Sequence, residues 1–398
     1  MTPYIVDLFA GPGGWDLGAR AVGLDPVGFE LDVHALATRR RNGLRTVSAD
    51  LSRYGPDRVD DVEGLIASPP CPAFSAAGLR EGVEWLDHLI DVAARLHLGA
   101  HPLDDLTAIL DPAAPPEATL SLVPLAWVLH HRPRWVAWEQ VPAVLSLWEA
   151  CAERLAAEGY EAALAAVVNA ADYGVPQTRR RAILLAHRDR PITWPAPTHH
   201  RTAGDLPRWV SMGEALTAAG LWPRPCLTVD GTTALGFPRL DDRGDSPDGY
   251  RERDWFPADG PAPTLTEKLR SMQWRPPPWV WERPATPVTG DSRLWPPGHK
   301  VNADDIARLG DDEARRRYGD RAGTDAIRLT IEEAQVLQTI PLDHVICAAT
   351  ELEGQASMFP GLEPLGPTAH RATQVVGNAV PPLLARHLLA AVTERSAA

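Results

Sequence analysis

The sequence predicts an α/β protein in which a mostly parallel sheet carries a second, smaller, loop-rich domain. Three observations predict it. Over residues 1–190, short apolar runs alternate with helix-length segments, the pattern of successive βαβ units. Over 191–325 that texture gives way to interleaved prolines, tryptophans and charges with little helical periodicity. Near Ile327 regular patterning resumes. The expected organisation is a discontinuous domain, 1–190 plus 326–398, interrupted by a loop-rich domain at 191–325. The C-terminal segment is expected to return beside the N-terminal motif.

Taken in order, residues 4–9 form the first strand, followed by Ala10-Gly11-Pro12-Gly13-Gly14 and a helix over 15–22. A strand at 27–30 leads into a helix over 32–41, which Gly43 ends. Residues 45–48 make a third strand with Asp50 just beyond it, and 64–68 a fourth, running into Pro69-Pro70-Cys71-Pro72. Residues 84–117 are a Pro- and Ala-containing insertion. A helix over 120–130, a strand over 135–139, a helix over 143–157 and strands over 162–169 and 181–186 complete the first block. Beyond the loop-rich stretch, Thr330 and Glu333 form a capping box opening a helix that Pro341 closes, and a final helix spans 382–395.

Composition sets outer limits. The 398 residues are 44% hydrophobic and 23% charged, ordinary for a globular chain long enough for two domains. No run of 18 or more apolar residues suggests a membrane span. The chain runs directly into a strand-like segment, leaving no room for a signal peptide. Four cysteines, Cys71, Cys151, Cys226 and Cys347, lack paired spacing, which argues against a disulfide framework or a metal site and suits a reducing cytoplasm. The net charge of −13 runs against a nucleic-acid partner, but a basic cleft can sit on an acidic body.

Ligand chemistry concentrates at strand ends. Glycines after the first strand let a backbone approach a ligand closely, although a bare strand–turn–helix joint is equally consistent with them. Glu30 closes the second strand, where an acid commonly binds ribose hydroxyls, and Asp50 follows the third. Either could instead cap a local turn. Together these ends outline a nucleoside pocket. The tight spacing of Gly11, Gly13 and Gly14 departs from a dinucleotide fingerprint, without choosing between a dinucleotide and S-adenosylmethionine.

Cys71 is framed by prolines directly after a buried strand, so a thiol is held at the same edge of the sheet. Glu139 ends the strand Trp135-Val136-Ala137-Trp138-Glu139; enclosed beside Cys71 it could act as a protonated acid toward a ring nitrogen, or simply cap a helix. In Gln177-Thr178-Arg179-Arg180-Arg181, strand alternation puts Arg179 and Arg181 on one face, able to hold a carbonyl or a phosphate, where the plainer reading is a solvated charge run.

In combination these segments resemble the DNA (cytosine-5)-methyltransferase family in its own motif order. Residues 7–14 resemble its glycine motif, Phe29-Glu30-Leu31-Asp32 its second, Pro69-Pro70-Cys71 its nucleophile motif and Glu139-Gln140-Val141 its Glu-Asn-Val motif. Gln177-x-Arg179-x-Arg181 matches the Gln-x-Arg-x-Arg motif, the segment from Arg328 to Pro341 the ninth, and Gln374-Val375-Val376-Gly377-Asn378-Ala379-Val380 the last. The resemblance implies a Rossmann-like S-adenosylmethionine-dependent sheet, with 191–325 as a target-recognition domain. It implies that Phe9, Gly11, Gly13, Gly14, Glu30, Leu31, Asp50, Leu51, Pro70 and Asn378 bind S-adenosylmethionine. Cys71 would attack carbon 6 of a flipped-out cytosine, Glu139 would engage ring nitrogen 3, and Arg181 with Arg179 would hold the base. Ser75 and Gln177 would contact substrate. The implied partner is double-stranded DNA, bound by a monomer at a short specific sequence, with a cognate restriction endonuclease on the same site as a candidate second partner and no metal or membrane.

Three departures stand out: Pro72 where the family more often has Gln, Gln140 where it more often has Asn, and Leu31 in place of a frequent aromatic. Rival readings are an RNA cytosine-5 methyltransferase, a DNA-binding relative without turnover, and use of a modified methyl donor. The long Pro-rich stretch favours DNA over RNA, and Asn378 gives no reason to prefer a modified donor.

Overall fold

The computed structural model describes residues 4–70, 74, 81–202, 204–221, 227–229, 232–234, 284–285, 288, 293–294, 327–347 and 368–393. Its centre is a seven-stranded sheet built from β1 (Tyr4–Leu8), β2 (Val27–Glu30), β3 (Thr46–Ser48), β4 (Val62–Ala67), β5 (Trp135–Gln140), β6 (Ala162–Asn169) and β7 (Arg180–His187), in the order β3-β2-β1-β4-β5-β7-β6. The expected α/β class is what the chain adopts, and the strand boundaries fall within two residues of the sequence reading.

The strands β3, β2, β1, β4 and β5 pair in parallel. Strand β7 pairs antiparallel with both β5 and β6, so β7 alone is reversed within this sheet. Residues 170–179, which join β6 to β7, are too short for the crossover that a parallel neighbour would need. The reversal has a consequence for chemistry. The start of β7 lies at the same edge as the ends of β1, β2, β4 and β5. The order also runs outward from β1 in both directions, placing the topological switch between β1 and β4, where open α/β sheets bind ligands.

Helices cover both faces. The helices α1 (Gly14–Arg20) and α2 (Val33–Arg41) follow β1 and β2. The insertion that the sequence left vague folds as α3 (Glu81–Glu84), α4 (Leu86–Arg95), α5 (Pro102–Ile109) and α6 (Pro116–Thr119), ahead of α7 (Val123–His131) and α8 (Leu145–Ala157). Leu89 and Val92 of α4 are buried, and this helix packs on α8. Trp127, Trp138 and Trp148 fill the core on that face. Within the loop-rich stretch, Ser211 and Glu214 form a reciprocal capping box that opens α9 (Met212–Ala218), a helix the sequence reading did not anticipate. Short antiparallel pairs join Leu227–Val229 (β8) to Thr232–Ala234 (β9) and Arg293–Leu294 (β10) to Ile327–Arg328 (β11).

The expected Thr330–Glu333 capping box opens α10 (Ile331–Leu337), followed by α11 (Thr368–Asn378) and α12 (Pro382–Thr393). Helix α12 lies on α1, with Leu384, Leu388, Leu389 and Val392 fully buried, each contributing roughly 1.5–3 kcal/mol of apolar burial. Glycine permits the contact: a Cβ at Gly18 would lie 2.5 Å from Ala385 Cβ, and one at Gly14 would lie 2.1 Å from the Val380 carbonyl oxygen. By length and hydropathy alone the stretch Gln374–Thr393 could cross a membrane, but 67% of its apolar window is buried inside the fold.

Candidate active site

The turn after β1 is held in an uncommon conformation. Phe9, Gly11 and Gly13 have φ values of 59°, 55° and 109°, in the left-handed region. For Phe9 this costs about 1–2 kcal/mol, so surrounding contacts must hold it. Ala10 N–H donates to the Phe29 carbonyl at 3.1 Å. The Glu30 carboxylate accepts N–H groups from Gly11, Leu31 and Asp32, each at 2.7 Å. Burial pushes the Glu30 carboxyl above the usual glutamate range, while those three N–H groups pull it back. From the far end of the chain, His344 Nε2 lies 3.0 Å from the Pro12 carbonyl; a carbonyl only accepts, so this nitrogen carries the proton. Burial holds the His344 pKa down.

A cavity of about 310 Å³ opens on this turn, at the lower end of small-molecule sites. Its lining includes the Gly11–Glu30 pair with Phe9, Pro12, Gly14 and Asp32 around the glycine turn, the Glu139–Arg181 pair with Arg179, Gln140, Pro70, Pro69 and Ser68 as a second end, and Asn378. Nine of the residues singled out from sequence therefore share one cavity wall: Phe9, Gly11, Gly14, Glu30, Pro70, Asn378, Glu139, Arg179 and Arg181. Trp15 links its two ends, lining the cavity and donating its indole N–H to Ser68 Oγ at 2.8 Å.

The other expected residues within the described part of the chain are not in this lining. Gly13 is the N-cap of α1, Leu31 is exposed and Leu51 belongs to the core. Asp50 turns its carboxylate onto its own loop, accepting from Ser52 N at 3.0 Å and from Ser52 Oγ at 2.6 Å. Gln177 is a buried joint rather than part of the cavity lining. Its amide donates to Gln338 Oε1 at 2.7 Å and its oxygen accepts from Val288 N at 3.2 Å. Cys71 and Ser75 lie outside the described residues.

At the second end, the reversal of β7 brings two arginines to the end of β5. Arg181 Nε lies 2.7 Å from Glu139 Oε1 and Arg179 Nη2 lies 4.0 Å from the same oxygen, all three side chains being largely buried. Arg179 also donates to the Gly377 carbonyl at 2.9 Å, one residue before Asn378. The arrangement offers a carboxyl flanked by guanidinium donors, complementary to a planar ring that carries a ring nitrogen and a carbonyl.

Several contributors escaped the sequence reading. Gln140, noted there only as a departure, donates to the carbonyls of Pro69 at 2.9 Å and Pro70 at 3.1 Å, tying down the segment that runs into Cys71. Gln338 donates to the carbonyls of Val376 at 3.0 Å and Ala379 at 2.8 Å, fixing the C-terminal wall. Neither residue has a sequence signal beyond a polar side chain at an element end.

With this geometry in view, comparison with known proteins is consistent throughout. The family model for C-5 cytosine-specific DNA methylase matches residues 4–88 and 114–208. The chain is 27% identical to the Type II methyltransferase M.AplI of Arthrospira platensis, over 48% of this chain and 47% of that protein. It is 24% identical to the Type II methyltransferase M.XorII of Xanthomonas oryzae pv. oryzae, over 96% of this chain and 83% of the relative. Against M.AplI and the Type II methyltransferase M.DdeI of Desulfomicrobium norvegicum, the match spans about half of the relative's length, 47% and 41%. In structure, the S. pombe Dnmt2 methyltransferase superposes with a TM-score of 0.52 at 12% identity, covering 98% of both chains, a likeness of fold.

Proposed function

We propose that this chain, which matches the C-5 cytosine-specific DNA methylase family model over residues 4–88 and 114–208, transfers a methyl group from S-adenosylmethionine to carbon 5 of cytosine in double-stranded DNA at a short specific sequence. The observation that carries this reading is the single cavity running from the Glu30-braced glycine turn to the Glu139–Arg181 pair, past the prolines that lead into Cys71.

The cavity suits the cofactor chemically. Phe9 offers a ring for the adenine, the Glu30 carboxylate acceptors for ribose hydroxyls, and Gly11 and Asn378 a polar wall for the amino-acid end. Asp50 would take the adenine amino group on releasing Ser52, with Leu31 and Leu51 beside it. When bound, S-adenosylmethionine supplies an electrophilic methyl group. The protein's part is to make carbon 5 nucleophilic. The Cys71 thiolate adds to carbon 6, and the displaced electron density is stabilised by Glu139 at ring nitrogen 3 and by Arg181 at the ring carbonyl. After transfer, loss of the carbon 5 proton re-forms the ring double bond and expels the thiolate. A base in a duplex must be flipped out to reach this site, at a cost of a few kcal/mol that protein contacts offset. Residues 191–325 are the segment assigned to sequence recognition.

Trapping on duplex DNA containing 5-fluorocytosine tests this reading. Fluorine blocks the final elimination, so wild-type protein with cofactor should form a stable adduct and Cys71→Ala should form none. Wild-type protein that forms no adduct on DNA and transfers no methyl group would sink the reading; adducts on RNA alone would redirect it to RNA.

A further inference from the structure

We propose that the buried Arg39–Asp16 pair is a positioning device that sets cofactor affinity from beneath the glycine turn without touching the ligand, an inference resting on the reading that this turn binds S-adenosylmethionine. Neither residue lines the cavity, and both are buried, Arg39 at 0% and Asp16 at 1% exposure. Arg39 spends its whole guanidinium on tying four elements together. Nη1 and Nη2 bond the two Asp16 carboxylate oxygens at 2.7 and 2.9 Å, fixing the first turn of α1. Nη1 also reaches the Ala10 carbonyl at 3.4 Å, in the glycine turn itself. Nη2 donates to the Arg45 carbonyl at 3.1 Å and Nε to Thr46 Oγ1 at 3.0 Å, anchoring the same group to β3.

The surroundings are fitted to this arrangement. A Cβ at Gly28 would lie 1.9 Å from Arg39 Nη2 and 2.7 Å from Ala10 Cβ, so the residue opposite Asp7 in β2 leaves room for the fork. The turn above it holds Phe9 at positive φ, a strained conformation for a non-glycine residue that persists only when neighbouring contacts over-determine it. The Gly11–Glu30 and Pro12–His344 contacts grip that turn from the cavity side and from the C-terminal segment. Arg39 and Asp16 grip it from below. A fork of five donors matched to a carboxylate is a task that a lysine cannot reproduce.

A purely structural ion pair and a positioning device differ in how the protein responds to losing them. Deleting one partner strands a buried charge, whereas replacing both with apolar residues of similar volume often leaves stability nearly unchanged. The test is therefore the full chain carrying Asp16→Leu with Arg39→Met, titrated calorimetrically with S-adenosylmethionine and separately with cofactor-free duplex DNA. The expected result is a near wild-type Tm, unchanged DNA affinity and a cofactor Kd raised about tenfold, as for a turn that holds its binding shape about a tenth of the time. Should the double variant not fold, Arg39→Lys keeps the charge but not the fork and should weaken cofactor binding in the same direction. Cofactor affinity equal to wild type, or DNA affinity falling in parallel with it, overturns the proposal. Wild-type protein that binds no S-adenosylmethionine overturns the underlying reading as well.

Discussion

Replacing Gln140 by leucine isolates one restraint on the segment that runs into Cys71, the nucleophile of the proposed reaction. Pro69 and Pro70 have no N–H to donate, so their carbonyls are the backbone groups available for anchoring, and a single amide holds both, at 2.9 and 3.1 Å. Gln140 is 1% exposed, and its own oxygen is fixed by Val141 N at 2.7 Å, so the amide cannot rotate away. Leucine fills nearly the same volume but leaves the buried Pro69 carbonyl without a donor, at a cost of about 1–3 kcal/mol. The Pro70 carbonyl is only partly buried and recovers its bond from water. Because the restraint acts on the loop rather than the whole core, the loss should appear as a smaller population of the reactive arrangement. At about 1.4 kcal/mol per factor of ten, adduct formation on 5-fluorocytosine DNA should slow roughly 5- to 150-fold. Gln140→Asn keeps the donor but withdraws it by one methylene, and should fall between leucine and wild type. Single-turnover trapping at saturating cofactor measures this directly. A leucine variant that traps DNA at the wild-type rate would refute the anchoring role.

Three other expectations come from buried groups. Burial raises the Glu30 carboxyl, so its contribution to folding is complete below the unfolded value near 4.5 and is lost as pH rises through the folded value. On the proposed reading, in which Glu30 accepts ribose hydroxyls, cofactor binding runs the opposite way because those hydroxyls need the ionised acceptor: wild-type Kd should weaken as pH falls toward the raised value, and calorimetry on Glu30→Gln should show a weaker, flat profile. Asp7 is fully buried with no hydrogen-bond partner for either oxygen among the described residues, and its pKa is raised chiefly by burial and then by Asp16, against the pull of Arg39. Its stabilising contribution vanishes as pH rises, so Asp7→Asn should increase Tm more at pH 8 than at pH 5; an equal shift at both would contradict this. The Cys151 thiol is pushed up to about 12 by burial, so iodoacetamide at pH 8 should modify it only in denaturant, as peptide mapping would show.

What could be read in the sequence was whatever depends on local spacing. The strand ends at Phe9, Glu30 and Glu139, the Thr330–Glu333 capping box and the glycine turn all fall where short-range pattern places them. The reversal of β7 was not legible, because the pattern of a single strand carries no direction; only the short 170–179 connection hints at it. Arg39 was hidden inside Arg39-Arg40-Arg41, which resembles a solvated charge run. Helical spacing held the clue: Arg39 lies four residues after Ala35 and three after Leu36, on the same face, and all three are buried. Asp50 shows what strand-end position leaves out, since its carboxylate accepts from Ser52 in its own turn, a local contact that residue type and position do not announce.

The reversed strand also explains how the two ends of the cavity come to be tied together. Had β7 run parallel, Arg179 and Arg181 would begin a strand at the far edge of the sheet, remote from Glu139. As built, Arg179 sits between the acid at the end of β5 and the carbonyl of Gly377 beside Asn378, while Gln338 holds the neighbouring carbonyls of Val376 and Ala379. One guanidinium thus spans the acid at one end of the cavity and the C-terminal wall at the other. Arg179 is thereby tied to both walls, 4.0 Å from the Glu139 carboxylate and bonded to the Gly377 carbonyl at 2.9 Å. The C-terminal helix packs back on α1, so Gly377, Asn378 and Val380 line the same cavity as the glycine turn that follows β1.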